Sequence, residues 1–511
     1  MRGDVTGGRL GAVPSDDATV ELTVWAPRVE TLDAHTADGV HRLERGAGGV
    51  HRGRFPGAGG TQYLLAVDGA ETYPDPCSRH QPFGVRGVSE VVDTAAFAWT
   101  DAGWTGVSLD DLVLYELHVG TFSADGTFDG VVPRLHALRE LGVTAIELMP
   151  VATFPGERGW GYDGVYTFAP HPAYGGPAGL ARLVDAAHAA GLGVVLDVVY
   201  NHIGPGSEAV TAFGPYLSPE NKTFWGDAID YSERGVREWA IQNAEQWIRD
   251  YHVDGLRLDA VHAIVDDDSA THICAELAVR AHTLAPRTLV ISEIAPGDWR
   301  PIERWGHDAQ WADGSHHELH VLLTGERDGY YEGYGSVSSL AADLRGAGHD
   351  PQRLVACAQN HDQVGNRALG DRLPPDALRV AAAVTLFSPC TPLLFMGEEH
   401  FETHPFQFFT DHIDPAIAEA TRTGRKEEFA AFTSFSADDI PDPQALETFL
   451  RSKLDPQEPD PFYRDLLELR RTLPHELEVL EADDDARRLR VRRGSTELEA
   501  DFAARTVEVR R

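Results

Sequence analysis

Cysteine is scarce in this chain of 511 residues: Cys77, Cys274, Cys357 and Cys390 stand far apart, with no Cys-x-x-Cys pair. That spacing excludes the common zinc and thiol-redox motifs and predicts four reduced, mostly buried thiols. Lysine is scarcer still. Apart from Lys222, Lys426 and Lys453 every basic side chain is arginine, the usage of a GC-rich genome rather than the Lys/Glu enrichment of hyperthermophiles. No apolar stretch approaches the roughly 20 residues of a membrane span. Met1 to Val20 has no apolar core of the signal-peptide kind, so a cytoplasmic address is expected. Positive charge is in deficit, with a formal net charge of -36. Such a surface repels nucleic acid and anionic membranes, and neither is expected as a partner; an uncharged sugar is not repelled. Phosphate loops, dinucleotide fingerprints and serine-centred elbows are missing. The run Ser315-His316-His317-Glu318 does not present the two-histidine helical spacing of a zinc site, so no metal and no cofactor are expected. The sequence does not set an oligomeric state.

What is present is a soluble composition, 42% hydrophobic and 24% charged, in a chain long enough for one large domain and one or two small ones. Residues 1–95 alternate short apolar runs, such as Val20 to Trp25 and Tyr63 to Val67, with Gly and Pro clusters. They predict an N-terminal β-sandwich. From about residue 110, strand-like runs alternate with segments of helical period, as in Leu180, Leu183, Val184 and Ala187 or Val132, Leu135, Leu138 and Leu141. Candidate strands at 112–119, 144–150, 193–199, 254–259, 288–293, 308–312, 353–358 and 391–396 imply an α/β fold, a closed (β/α)8 barrel over 96–474. The segment 400–460 reads as a long loop on the catalytic side, and 462–473 as a last helix. Alternation over 475–511 predicts a small C-terminal β-domain.

Three acids stand at the ends of barrel strands: Asp259 closes Gly255-Leu256-Arg257-Leu258, Glu293 closes Leu289-Val290-Ile291-Ser292, and Asp362 follows Asn360-His361. A charged acid there is costly unless it reaches a polar cleft, and barrel active sites lie at the C-terminal strand ends. Taken singly, each acid could be a salt bridge or an N-cap. Together they are the equipment of a retaining glycosidase, which needs one ionised nucleophile and one protonated acid. Asp259, two residues from Arg257, suits the nucleophile, because a guanidinium favours the carboxylate. Glu293, between Ile291 and Ile294, suits the acid, because desolvation raises its pKa. Asp197, His202 and His361 also fall near strand ends and can serve sugar hydroxyls. Trp160 and Tyr162 lie in a Gly-rich loop, where a ring can stack on a pyranose or simply anchor packing.

Four ordered segments carry a resemblance: Asp197-Val198-Val199-Tyr200-Asn201-His202, Gly255 to His262, Ile291-Ser292-Glu293 and Asn360-His361-Asp362. Over most of its length the chain resembles the α-amylase family of glycoside hydrolases. The resemblance implies Asp259 as nucleophile, Glu293 as acid/base and Asp362 as transition-state stabiliser. It further implies Arg257, His202 and His361 lining the subsite of the cleaved glucose, Tyr162 stacking on that glucose, and Asp197 holding Arg257. The runs Trp25-Ala26-Pro27, Tyr115 to Phe122, Gln363-Val364-Gly365-Asn366-Arg367, Phe395 to Glu399 and Gly424 to Phe429 are similar to those of the branch that acts in trehalose biosynthesis. That branch cleaves the α-1,4 bond next to a terminal trehalosyl unit of a maltodextrin and releases trehalose. Branching and debranching enzymes share the barrel, the acids and a carbohydrate-binding-like N-terminal domain, and are the alternative; a non-catalytic glucan-binding protein is a remote one. The resemblance implies no required metal and a reduced insertion at 203–233. The chain departs from the family at His400, where a Trp usually follows Met-Gly-Glu-Glu. Phe406, Phe408 and Phe409, after the eighth strand, are expected to shape the leaving-group side.

Overall fold

A computed structural model describes residues 6–223, 226–429 and 440–511. Short parts of the expected N-terminal domain (1–5), of the 203–233 insertion (224–225) and of the long loop (430–439) lie outside the described residues. The eight barrel strands are Leu114–Leu117, Ala145–Leu148, Gly193–Val198, Gly255–Leu258, Leu289–Ser292, Ala309–Trp311, Leu354–Cys357 and Thr391–Phe395. Each pairs in parallel with the next, and the eighth closes on the first. Every residue of these strands is buried, as expected for strands covered on both faces. The helical stripes pack as anticipated: Gly176–Ala189 buries Leu180, Leu183, Val184 and Ala187, and Leu135–Leu141 buries Leu135, Leu138 and Leu141. Val132 falls in the tight turn just before that second helix.

The N-terminal strands form one antiparallel sheet from Gly11–Pro14 to Ser89–Glu90. Strand Gly39–Arg45 pairs on both sides, with Leu32–Thr36 and with Val50–Pro56. The sheet folds over itself, so that Phe55 and Tyr63 meet at 5.8 Å although two strands separate theirs in the sheet. It docks on the barrel through Trp25, whose ring meets Tyr216 edge-on at 5.2 Å. A Cβ on Gly235, in helix Arg234–Asp250, would lie 2.0 Å from the Trp25 indole, so only glycine admits this contact. At the other end, Glu478–Asp483, Arg488–Arg493, Thr496–Asp501 and Thr506–Arg510 make a four-stranded antiparallel sheet. Its arginines bond carbonyls at the ends of barrel helices. Arg493 donates to Phe387 and Ser388 at 2.9 and 3.0 Å, and Arg505 to Leu323 at 3.1 Å. Those carbonyls lack helical partners and carry the negative end of the helix dipole.

One loop expectation changes. The 400–460 segment is not one long loop, because Pro415–Glu428 and Leu446–Arg451 are helices. The Asp414 side chain caps the first of them, with Pro415 in its first turn, which is the usual chemistry of a helix start. Between the third and fourth strands stand a short helix, Glu208–Phe213, and a hairpin of Leu217–Thr223 and Gly226–Ile229.

Candidate active site

The site is built around Arg257, whose side chain is fully buried at the centre of the fourth strand. Its Nη1 donates to Asp197 Oδ2 at 2.7 Å and to Asp259 Oδ1 at 3.0 Å. Its Nη2 donates to Glu293 Oε2 at 2.8 Å. The sheet register sets this up: Asp197 on the third strand pairs with Arg257, and Arg257 with Ile291 on the fifth. Alternation then points Arg257 and Asp259 the same way. The guanidinium lies 4.1 Å from the ring centre of Trp311, on the sixth strand, a cation–π contact in a buried setting. One planar fork therefore ties three carboxylates from three neighbouring strand ends.

Asp259 and Glu293 are supported differently. Asn201 donates through Nδ2 to Asp259 Oδ2 at 2.7 Å and to the Asp259 carbonyl at 2.9 Å. His202 holds that amide by a bond to Asn201 Oδ1, and its Nε2 meets the Tyr162 carbonyl at 2.9 Å. Burial lowers the His202 pKa. Glu293 Oε2 also accepts from the Ala260 amide at 2.9 Å. That amide is aimed by a left-handed backbone at Ala260, φ +40°, a strained conformation for a residue with a Cβ. Burial pushes the Glu293 carboxyl well above its usual range; Arg257 opposes this, and the charges of Asp259 and Asp362 add to it. Burial pushes Asp362 up as well, but His361, Arg257 and Asn366 together outweigh it and pull Asp362 down to about 2. Asn366 donates to Asp362 Oδ1 at 3.0 Å.

A second chain of bonds closes the floor. His361 donates its backbone N–H to Glu116 Oε2 at 2.8 Å, and its Nδ1 meets Glu116 Oε1 at 2.5 Å. Its Nε2 lies 2.7 Å from Tyr162 Oη, which donates to Asp197 Oδ2 at 2.6 Å. Burial disfavours a charged imidazole, yet Asp362 and Glu116 hold His361 well above its ordinary pKa. Burial raises Asp197 to about 6 against the pull of Arg257. The Tyr162 loop turns at Gly161, φ +105°, where a Cβ would sit 2.0 Å from the Pro150 carbonyl oxygen.

The structure thus brings Asp259, Glu293, Asp362, Arg257, His202, His361, Tyr162 and Asp197 to one mouth of the barrel. It places other residues elsewhere. Trp160 is buried, stacks on Phe406 at 5.2 Å and donates to the Gln407 carbonyl at 3.0 Å. It is a packing anchor. Phe406 and Phe409 are fully buried, so the expectation that all three phenylalanines shape the leaving-group side is corrected for these two; Phe408 is half-buried beside Arg425. His316 and His320 do stand four apart on helix Asp313–Thr324, contrary to the sequence reading. Arg367 Nη1 lies 3.2 Å from His320 Nε2, placing a guanidinium where a cation would bind. No group of three ligand-type side chains converges among the described residues. Glu116, Asn201 and Trp311 are the contributors the sequence reading missed; Glu116 lies inside the strand Leu114–Leu117 rather than at its end. A cavity of about 700 Å³ at the opposite barrel end, lined by Val107, Thr144, Leu289 and Asp308, shares none of these residues.

Known proteins align with this arrangement. A family model of the alpha amylase catalytic domain matches residues 92–226. The malto-oligosyltrehalose trehalohydrolase of Deinococcus radiodurans is 43% identical over 507 residues, covering 91% of this chain and 83% of its own. That of Saccharolobus solfataricus is 40% identical over 493 residues, covering 89% and 86%. A 1.4 Å crystal structure from Salmonella typhimurium, described as an alpha amylase, superposes with a TM-score of 0.88 at 36% identity, covering 96% of this chain and 92% of that one. With closed barrel, clustered carboxylates and near full-length identity together, the chain belongs to the malto-oligosyltrehalose trehalohydrolases of the α-amylase family.

Proposed function

We propose that this chain hydrolyses the α-1,4 bond next to the terminal trehalosyl unit of a malto-oligosyltrehalose by a retaining mechanism, releasing trehalose and a shorter maltodextrin. Family membership supports the substrate. The observation that carries the chemistry is Arg257, one guanidinium spanning Asp259 at 3.0 Å and Glu293 at 2.8 Å. Such bridging suits the carboxyl separation of about 5–5.5 Å that a covalent intermediate needs. Glu293, kept protonated by burial, gives its proton to the glycosidic oxygen, and the trehalose leaves. Asp259, oriented by hydrogen bonds from Arg257 and Asn201, attacks the anomeric carbon and forms the glycosyl-enzyme. Glu293, now a carboxylate, takes a proton from water, and that water displaces Asp259 from the sugar. Asp362 faces the positive charge that develops on the ring. Arg257, His202, His361, Tyr162 and Asp197 shape and hold the subsite. No step calls for a metal or a cofactor. In the same reading residues 1–95 form a carbohydrate-binding-like domain, 96–474 the catalytic barrel and 475–511 a small C-terminal domain, and the enzyme works in the cytoplasm.

The test gives the purified chain maltopentaosyl trehalose and maltoheptaose side by side. Trehalose and maltopentaose should appear from the first while the second is cut slowly. Glu293→Gln should lose about 10²–10⁴-fold in rate, the range of a general acid. Equal attack on both substrates, or new α-1,6 branches, would move the chain to an amylase or a branching enzyme.

A further inference from the structure

Far from the carboxylates, a chain with 80 acidic and 44 basic residues gathers four arginines around one cavity. Arg9, Arg79, Arg249 and Arg280 line a space of about 200 Å³, with Gly8, Phe168, Gln242 and Glu245 completing the wall. The cavity lies between the N-terminal segment and the helices Arg234–Asp250 and Ile273–Leu284.

The charges do not balance locally. Arg79 is buried and bonds no carboxylate among the described residues, although its charge acts on Asp75; its Nη1 and Nη2 donate to the carbonyls of Ala12 and Leu10 at 2.9 and 2.8 Å. Arg9 and Arg249 share one acid: Arg9 Nη2 pairs with Asp250 Oδ2, and Arg249 Nε with Asp250 Oδ1 at 3.0 Å. Arg280 pairs with Glu245 at 2.6 Å. Its longer contact, 3.7 Å to Glu238, is to an acid that Arg234 also bonds. The short ion pairs of the four guanidiniums among the described residues are thus with Asp250 and Glu245. The Nε of Arg9 is buried with no partner among the described residues. Burial and the like charge of Arg79 bring the Arg9 pKa down to about 10. An excess of positive charge at a half-buried site is costly unless something compensates it.

We propose that this cavity binds a tetrahedral oxyanion, either inorganic phosphate or the phosphate group of a small metabolite. Guanidinium forks match the oxygens of such an ion in pairs. Its two negative charges offset the local surplus. The space admits a phosphoryl group with a few waters and is too small for a nucleotide. Bound there, the ion fastens Gly8 and Arg9 to helix Arg234–Asp250.

The test is thermal unfolding of the full chain, titrated with sodium phosphate, with glucose 6-phosphate, and with sodium chloride at matched ionic strength. A ligand that binds only the folded state raises the midpoint in a saturable way. Phosphate or the sugar phosphate should raise it by several degrees, beyond the chloride control. The Arg249 side chain is 35% exposed, so Arg249→Gln should fold and should raise the half-saturating concentration at least tenfold. Arg139→Gln, at the 700 Å³ cavity, should behave as wild type. Tighter binding of glucose 6-phosphate would assign the ion to a metabolite, and tighter binding of inorganic phosphate to the free ion. No rise in the wild type, a rise that chloride reproduces, or the same titration in Arg249→Gln would overturn the proposal.

Discussion

Glu116 has both carboxylate oxygens on His361, one on the backbone N–H at 2.8 Å and one on the imidazole Nδ1 at 2.5 Å. It is a positioning residue, because it reaches the sugar site only through that ring. The bond to Nδ1 favours a doubly protonated imidazole, leaving the Nε2 proton for Tyr162 or Asp362. Glu116→Gln keeps the size and removes the charge. A hydrogen bond to a charged group contributes about 1.5–3 kcal/mol, so kcat/KM should fall by about 10–150-fold at that figure's fold-equivalent. The sign of the pH effect follows from the direction of the His361 shift, which Glu116 helps to raise. Without that charge the ring loses its proton at lower pH, and the alkaline limb of the kcat/KM profile should move toward acid. A variant with lower stability but an unmoved alkaline limb would reduce Glu116 to a structural role. Asp259 and Glu293 were legible in the sequence because each ends an apolar run, and Asp362 because it follows one in the polar cluster Asn360-His361-Asp362. Glu116 was not, because it lies inside such a run and its partner is 245 residues away.

Beyond single residues, the segment after the eighth barrel strand shows what local pattern can and cannot reveal. Asp414-Pro415 carries the chemistry of a helix start, which the long-loop expectation passed over, and the helix is there. The burial of Phe406 and Phe409 could not be read, since it depends on Trp160 and Phe449 arriving from distant parts of the chain. His400 was visible only as a departure from the family. Its Nδ1 lies 3.2 Å from Glu399 and its Nε2 3.7 Å from Glu402. Glu402 in turn accepts the amides of Thr403, His404 and Asp455 at 2.7, 2.8 and 2.8 Å. Burial works against a charged His400, but the two glutamates hold it up at about 9. A histidine raised in the folded state contributes stability that is complete below the unfolded value near 6.5 and lost as pH climbs through about 9. The contribution is on the order of 2–3 kcal/mol. Urea unfolding of wild type and His400→Gln at pH 6 and pH 10 should show a gap that is wide at the lower pH and narrow at the higher one. An equal gap at both values would mean that packing, not charge, makes His400 matter.

At the scale of the whole molecule, eight alternating units announced the barrel, and a run as short as the sixth strand still found its place because its neighbours on both sides required it. How the end domains dock was hidden, because the docking uses single side chains: Trp25 over Gly235 and Arg493 on the Phe387 and Ser388 carbonyls. The net charge of -36 was plain from the start, and the fold sharpens its meaning. Arg79 and Arg493 are buried on backbone carbonyls rather than on acids, so neither neutralises a surface carboxylate. Exposed acids then repel one another over a Debye length of about 10 Å at 0.1 M salt and about 30 Å at 0.01 M. Self-repulsion of this kind opposes the compact state. Sodium chloride raised from about 0.01 to 0.5 M should therefore increase the unfolding midpoint by several degrees, most steeply at the low end, where the Debye length changes most. The KM for an uncharged malto-oligosyltrehalose should stay within about twofold over the same range, since no long-range field steers a neutral ligand. A midpoint that falls with salt would mean that ion pairs outweigh repulsion in this chain. A KM that climbs steeply would place a charged group on the substrate.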